Sequence, residues 1–197
     1  LPFAIKALEL GSSLRAVHEH YAIFEQIFEQ YYAKQKEAQE SLVQAPESPE
    51  TFFLIATFLG DQNEYEKALD YYKIALDMNP TEPVRLKILK RIALIYLSEY
   101  HQPQEAIPYC EEGIQLSGNN PEFHEYLGRA YLDMHNYKLA EEQLSHALRK
   151  VKTDFGEYYL LQAEGYLASE EGKNAEALQL FEKALSYRQL NVPLHYT

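Results

Sequence analysis

The chain is 197 residues long and 46% hydrophobic, which places it among globular proteins of one or two domains. Its 30 acidic residues against 18 basic ones give a net charge of −12, so positive charge is too scarce to neutralise phosphates, which argues against nucleic acid and anionic membrane surfaces as partners. A single cysteine excludes an internal disulfide, and no apolar run approaches the roughly 20 residues a membrane span needs.

Residues 3–10, FAIKALEL, read as the end of a helix stopped at Gly11. The chain opens Leu-Pro-Phe and not with Met, as a trimmed chain would. The compartment stays unknown: a cytoplasmic location is favoured, and a periplasmic one is left open because the N-terminus looks trimmed. Ser12 or Ser13 caps the next helix, and no Gly or Pro follows until Pro46. The expectation is one long helix over 13–44, about 48 Å at 1.5 Å per residue. Leu14, Val17, Tyr21, Phe24, Phe28 and Tyr31 are spaced 3-4-3-4-3 along it, a heptad seam. That seam packs on the helices that follow or pairs with a second copy of itself. A break near Ala33 would divide it into a helix pair. The N-terminal helical segment is thus 1–45, and Gln44–Glu50, QAPESPE, links it to the rest.

Beyond the linker the chain repeats itself. In EYEKALDYYKIALDMNP, residues 64–80, Tyr65, Ala68, Leu69, Tyr72, Ala75 and Leu76 recur three and four apart on one helical face. Asn79-Pro80 stops that helix, because proline cannot continue it. The pattern returns three more times. A small residue falls in a first helix at Ala56, Ala93, Gly128 and Ala163, at spacings of 37, 35 and 35. Another opens a second helix at Ala68, Ala106, Ala140 and Ala177, at spacings of 38, 34 and 37. Four residues on come Tyr72, Cys110, Leu144 and Phe181, and seven on come Ala75, Gly113, Ala147 and Ala184. Breakers separate the two helices of each unit: Gly60-Asp61, His101-Gln102-Pro103, His135-Asn136 and Gly172-Lys173-Asn174.

This pattern resembles the tetratricopeptide repeat, a helix pair of about 34 residues. The match runs through Phe52, Ile55, Ala56, Leu59, Ala68, Tyr72, Ala75 and Pro80 in one unit and Leu127, Gly128, Tyr131, Ala140, Leu144 and Ala147 in another. The family's usual Trp is absent; the second unit is expected to carry about three extra residues before its first helix and one in its turn, and the fourth two in its turn. The resemblance implies an all-α fold: a right-handed solenoid of antiparallel helix pairs, with repeats at about 49–82, 83–120, 121–153 and 154–188 and a tail over 189–197. It also implies a non-enzymatic scaffold whose first helices line a groove for a peptide or protein partner. The lining residues would be Phe53 and Thr57, then Lys87, Lys90, Leu94 and Leu97, then Glu125, Arg129 and Leu132, then Leu160, Glu164 and Leu167. Such a lining, apolar rungs with positive charge toward the middle, suits a segment carrying an acidic group and apolar anchors; a chaperone or assembly adaptor is one such role. The carboxylate clamp of chaperone-tail binders is missing, since its positions hold Phe53, Thr57, Arg91, Glu122 and Tyr126. The alternatives are a homodimer through the Leu14–Tyr31 seam and a regulatory domain of a larger enzyme.

No catalytic or cofactor-binding motif stands out. His18 and His20 lie about 200° apart on a helix and so do not share a metal. Cys110 sits where the family buries a side chain, which makes it a core thiol. No glycine-rich phosphate loop, paired-carboxylate motif or Ser-His-Asp arrangement is present, so neither catalytic residues nor a cofactor or metal are expected.

Overall fold

The structure is a computed structural model that describes residues 48–189. The helix expected over 13–44, with its seam of Leu14, Val17, Tyr21, Phe24, Phe28 and Tyr31, lies outside the described residues, as does the tail from residue 190 on. Within them every element is an α-helix: α1 Pro49–Asp61, α2 Tyr65–Asp77, α3 Glu82–Ser98, α4 Pro103–Ser117, α5 Pro121–Asp133, α6 Tyr137–Lys150, α7 Asp154–Glu170 and α8 Asn174–Gln189. The chain divides into two compact units, one ending at Ile88 and the other beginning at Leu89.

In the first unit α1 and α2 form a helical hairpin. Ser48 caps α1 by accepting a hydrogen bond from the Thr51 N–H at 3.2 Å, and Pro49 takes the first helical position, where its missing N–H costs nothing. The chain reverses at Asn63, whose φ of 62° lies in the left-handed region that Asn tolerates. Ala56, Ala68 and Ala75 are fully buried and let the two backbones approach. Tyr72, 1% exposed, fills the seam between them, and its hydroxyl lies 3.1 Å from Thr57 Oγ1.

The second unit stacks α4 on α5, α5 on α6, α6 on α7 and α7 on α8. Left-handed residues again end the helices, at His101, Gly118, Asn119, His135 and Gly172. Its core centres on Leu132, Ala140, Leu144 and Ala163, with Tyr131, Tyr137, Tyr159 and Leu160 packed against it. Burying a leucine of this kind contributes roughly 1.5–3 kcal/mol.

Glycines mark the closest approaches. A Cβ on Gly128 would lie 2.5 Å from Leu144 Cγ, one on Gly113 2.4 Å from Phe123 Cε1, and one on Gly165 2.7 Å from Phe181 Cε1. The last contact corrects the register of the fourth unit. Gly165 stands to Phe181 as Gly128 stands to Leu144, each 16 residues apart, and the two pairs are offset by 37 along the chain, as Ala177 is from Ala140. Gly165, not Ala163, is therefore the equivalent of Gly128. The turn after α7 is three residues long, like the turn after α5, and the extra residues of this unit lengthen α7 at its start: 17 residues against the 13 of α5.

Candidate functional site

The residues expected to line a groove fall in both units. In the first, Phe53 is half-buried with its ring 5.9 Å from that of Tyr72, and the Thr57 hydroxyl donates to the Phe53 carbonyl at 2.9 Å. Thr57 Oγ1 therefore accepts from the Tyr72 hydroxyl, so Thr57 serves the hairpin itself. Lys87 is exposed. In the second unit Lys90 and Leu94 are half-buried on α3. Leu97 and Leu132, 0% and 6% exposed, are core residues, which corrects their placement on an open surface. Leu160 packs against the core cluster. Glu164 is acted on by Glu141 and Lys183 of the second helices α6 and α8, and burial first, then Glu141, raises its pKa.

The charges of the second unit are largely committed to one another. Lys90 Nζ donates to both oxygens of Glu122, at 2.8 and 3.0 Å, and the Tyr126 hydroxyl donates to Glu122 Oε1 at 3.0 Å. Burial, reinforced by Glu122, holds the Tyr126 hydroxyl far above its ordinary pKa, so it stays a donor. Arg129 donates from Nη1 to Ser98 Oγ at 2.9 Å and from Nη2 to the Leu97 carbonyl at 3.2 Å. Its guanidinium also lies 5.6 Å above the Tyr159 ring, and Nε is 3.8 Å from Asp133 Oδ2. Arg129 thus ties α5 to α3 and to α7.

Glu125, expected on the surface, is 6% exposed and acts as a strut. Its carboxylate accepts from the Thr153 hydroxyl, which in turn caps α7 by accepting from the Gly156 N–H at 2.9 Å. Burial raises the Glu125 pKa, and the Thr153 hydrogen bond opposes that shift. Thr153→Ala is expected to cost about 2 kcal/mol, because it removes the cap and strips a buried carboxylate of its donor. Urea unfolding reads the loss, and Thr153→Ser should restore most of it.

The corrected register reveals residues that the sequence reading missed. Adding 37 to Glu122, Glu125 and Arg129 gives Tyr159, Gln162 and Tyr166 on α7. Tyr159 is one member of a run of rings shared by α5 and α7. Tyr126 meets Phe155 edge-on at 6.4 Å, Phe155 meets Tyr159 at 4.6 Å, and Tyr159 meets Tyr158 at 4.9 Å. Phe155, Tyr158 and Tyr159 are half-buried, with Arg129 over the middle ring. Tyr166, 40% exposed, stacks on Tyr137 at 4.6 Å and 11°. Cys110 is fully buried, and burial pushes its thiol up to about 12, so it remains protonated. Among the described residues no three His, Cys, Asp or Glu side chains gather as a metal site, and no helix is long and apolar enough to cross a membrane.

Comparison with known proteins bears on the fold and the family. Models of the tetratricopeptide repeat match residues 49–82 and 97–165. Among solved structures, MamA from residue 41 to its end, from Desulfovibrio magneticus RS-1, superposes with a TM-score of 0.59 at 17% identity, over 89% of this chain and 96% of that one. The ArsTM double mutant of MamA RS-1 gives the same TM-score and coverage at 16% identity. No curated protein matches the chain. Identities this low speak to the fold alone, whereas the repeat models speak to the family, whose repeats serve as protein–protein interaction scaffolds. With a capped hairpin in residues 49–77, stacked hairpins from α4 to α8 and both repeat matches falling on them, the chain belongs to the tetratricopeptide repeat family.

Proposed function

We propose that the chain is a non-enzymatic scaffold that holds a peptide or protein segment on the ring-lined face of α5 and α7. The observation that supports this is the contiguous run Tyr126, Phe155, Tyr159 and Tyr158 with the Arg129 guanidinium over it. Aromatic rings offer large contact area at small entropic cost and are enriched among residues that dominate binding energy. The face differs from the mixed lining expected from sequence. Lys90 and Arg129 spend their charge on Glu122, Ser98, the Leu97 carbonyl and Asp133, so they fix the face more than they attract a ligand. The segment it suits presents rings, prolines or aliphatic side chains to the tyrosines, with few charges of its own. A role in assembling larger complexes, as a chaperone or adaptor, is the form such binding would take.

The test places a photo-reactive amino acid at Tyr158 of the full-length protein, with a control at the exposed Gln179 on α8. Irradiation in cells is expected to give a discrete cross-linked product from position 158 and none from 179. The reverse result would show that the partner sits elsewhere.

A further inference from the structure

His124 of α5 and His146 of α6 pack ring against ring inside the third hairpin, with centroids 4.3 Å apart and planes tilted by 37°. His124 is 7% exposed, and the Nε2 atoms of both histidines are buried without a hydrogen-bond partner. Buried polar atoms are almost always paired, so two orphans in one contact call for a physical account. Chemistry at the other nitrogen supplies part of it. His124 Nδ1 lies 2.7 Å from Gln143 Oε1, an acceptor, so Nδ1 carries the hydrogen and Nε2 is a bare lone pair. Neutral imidazoles tolerate that arrangement. A protonated one would present a buried N–H with nothing to receive it, beside a second imidazole at contact distance.

The surroundings do not relieve such a charge. The groups acting on His146 are His124 across the hairpin and Arg149 and Lys150 on α6 itself, all cationic when charged. Lys150 is fixed nearby by its bond to the Asn119 carbonyl at 2.8 Å. From α4, which packs on α5, Cys110 acts on Tyr126 and Tyr131, and Glu111 on Tyr131. From α7, which packs on α6, Glu157 acts on Glu164, and Glu164 also answers to Glu141 of α6. None of these is among the groups acting on His146.

We infer that the His124–His146 pair is a proton-operated release in the α5–α6 hairpin: proton uptake at His146 forces the rings apart and loosens the hairpin. The direction follows from linkage. Burial, then His124, lowers the His146 pKa below its ordinary value, so the folded state binds fewer protons than the unfolded chain. Stability is full above the unfolded value of about 6.5 and is lost as the pH falls from there through the lower folded value. Glu125, Asp133 and Glu164 have raised pKa values and act in the opposite sense, gaining stability on acidification, so the two effects separate by sign. The inference concerns the fold and stands whether or not the α5–α7 face takes a partner. Because α5 carries Glu122, Tyr126 and Arg129, the release would disturb that face.

Two measurements test it on the whole chain. Histidine ring resonances are followed by NMR from about pH 8 to about pH 5, alongside amide exchange corrected for intrinsic rates. His146 is expected to titrate below the ordinary histidine value, and protection in α5 and α6 to fall with it while α1 and α2 keep theirs. In the His124→Gln/His146→Gln variant, which cannot be charged, the melting temperature should lose its decline between about pH 7 and about pH 5. An His146 titration at the ordinary value, or an unchanged decline in the variant, overturns the inference. If the variant fails to fold, the wild-type titration and exchange decide alone.

Discussion

Gly128→Val is expected to lower the unfolding free energy by about 3 kcal/mol, seen as a fall of roughly 6–12 °C in melting temperature. The reason is geometric. A Cβ there would sit 2.5 Å from Leu144 Cγ, 3.0 Å from Leu144 Cδ2 and 3.3 Å from the Ala140 carbonyl oxygen. Leu144 is fully buried in the core cluster and has no free direction in which to retreat. The carbonyl belongs to helix backbone and moves only with α6. Replacing glycine in a helix interior recovers about 1 kcal/mol of propensity in the alanine variant, and less with a β-branched side chain. Gly128→Ala should therefore cost less than Gly128→Val, but still cost. Leu144→Ala alone should cost about 2–5 kcal/mol through the cavity it leaves. Combined with Gly128→Val, it should cost clearly less than the two single effects added, because the valine then fills space the leucine has vacated. Thermal and urea unfolding of the four proteins complete the cycle. Additive effects would mean that Gly128 and Leu144 do not meet.

The same contact explains what could be read from the sequence and what could not. Small residues at helical spacing are visible without a structure, because close helix approach requires them at Ala56, Ala68, Ala75, Gly128 and Ala140. Their recurrence conveyed the helix pairs and the family. The register within a unit was harder. Ala163 and Gly165 are both small and two residues apart, and the first gave the more regular spacing of 35 from Gly128. Only the contact with Phe181 distinguishes them. A signal did exist: the second helices were already 37 apart, at Ala140 and Ala177 and at Leu144 and Phe181. Carrying that number back to the first helix points to Gly165, and with it to Tyr159, Gln162 and Tyr166. The missed ring run follows from this single misplacement.

Charge was misread for a different reason. Lys90 and Arg129 were assigned from their repeat positions, which say where a side chain starts but not what it meets. Glu122 lies 32 residues beyond Lys90, and Ser98 lies 31 before Arg129, so neither pairing is visible in local pattern. Both distances are close to one repeat length, which is the general rule for contacts between neighbouring first helices. Pairing residues one repeat apart recovers Lys90–Glu122, and it recovers Lys150 with the Asn119 carbonyl at a separation of 31. Glu125 with Thr153 stays hidden because a separation of 28 falls well short of one repeat length.

Arg129→Met is expected to lower stability by about 3 kcal/mol, as read by urea unfolding, without altering the helix content of the folded protein. Methionine keeps the aliphatic stem and removes the fork. The side chain is 15% exposed, so the groups it leaves are poorly served by water. Its loss strips donors from Ser98 Oγ and from the Leu97 carbonyl, and removes the cation above Tyr159. Each hydrogen bond to a charged group contributes roughly 1.5–3 kcal/mol, and the ring contact about 0.5–1. Arg129→Lys should recover less than half of the loss, since an ammonium cannot serve two acceptors in fork geometry and lie flat on a ring. Lys90→Met supplies the contrast. That pair has side chains 35% and 40% exposed, and its removal should cost no more than about 1 kcal/mol. Equal effects at the two positions would deny Arg129 its place as the tie between α3, α5 and α7. If the ring-lined face also binds a segment, Arg129→Met should weaken cross-linking from position 158 more than Lys90→Met does, because Tyr159 then loses the guanidinium lying over its ring.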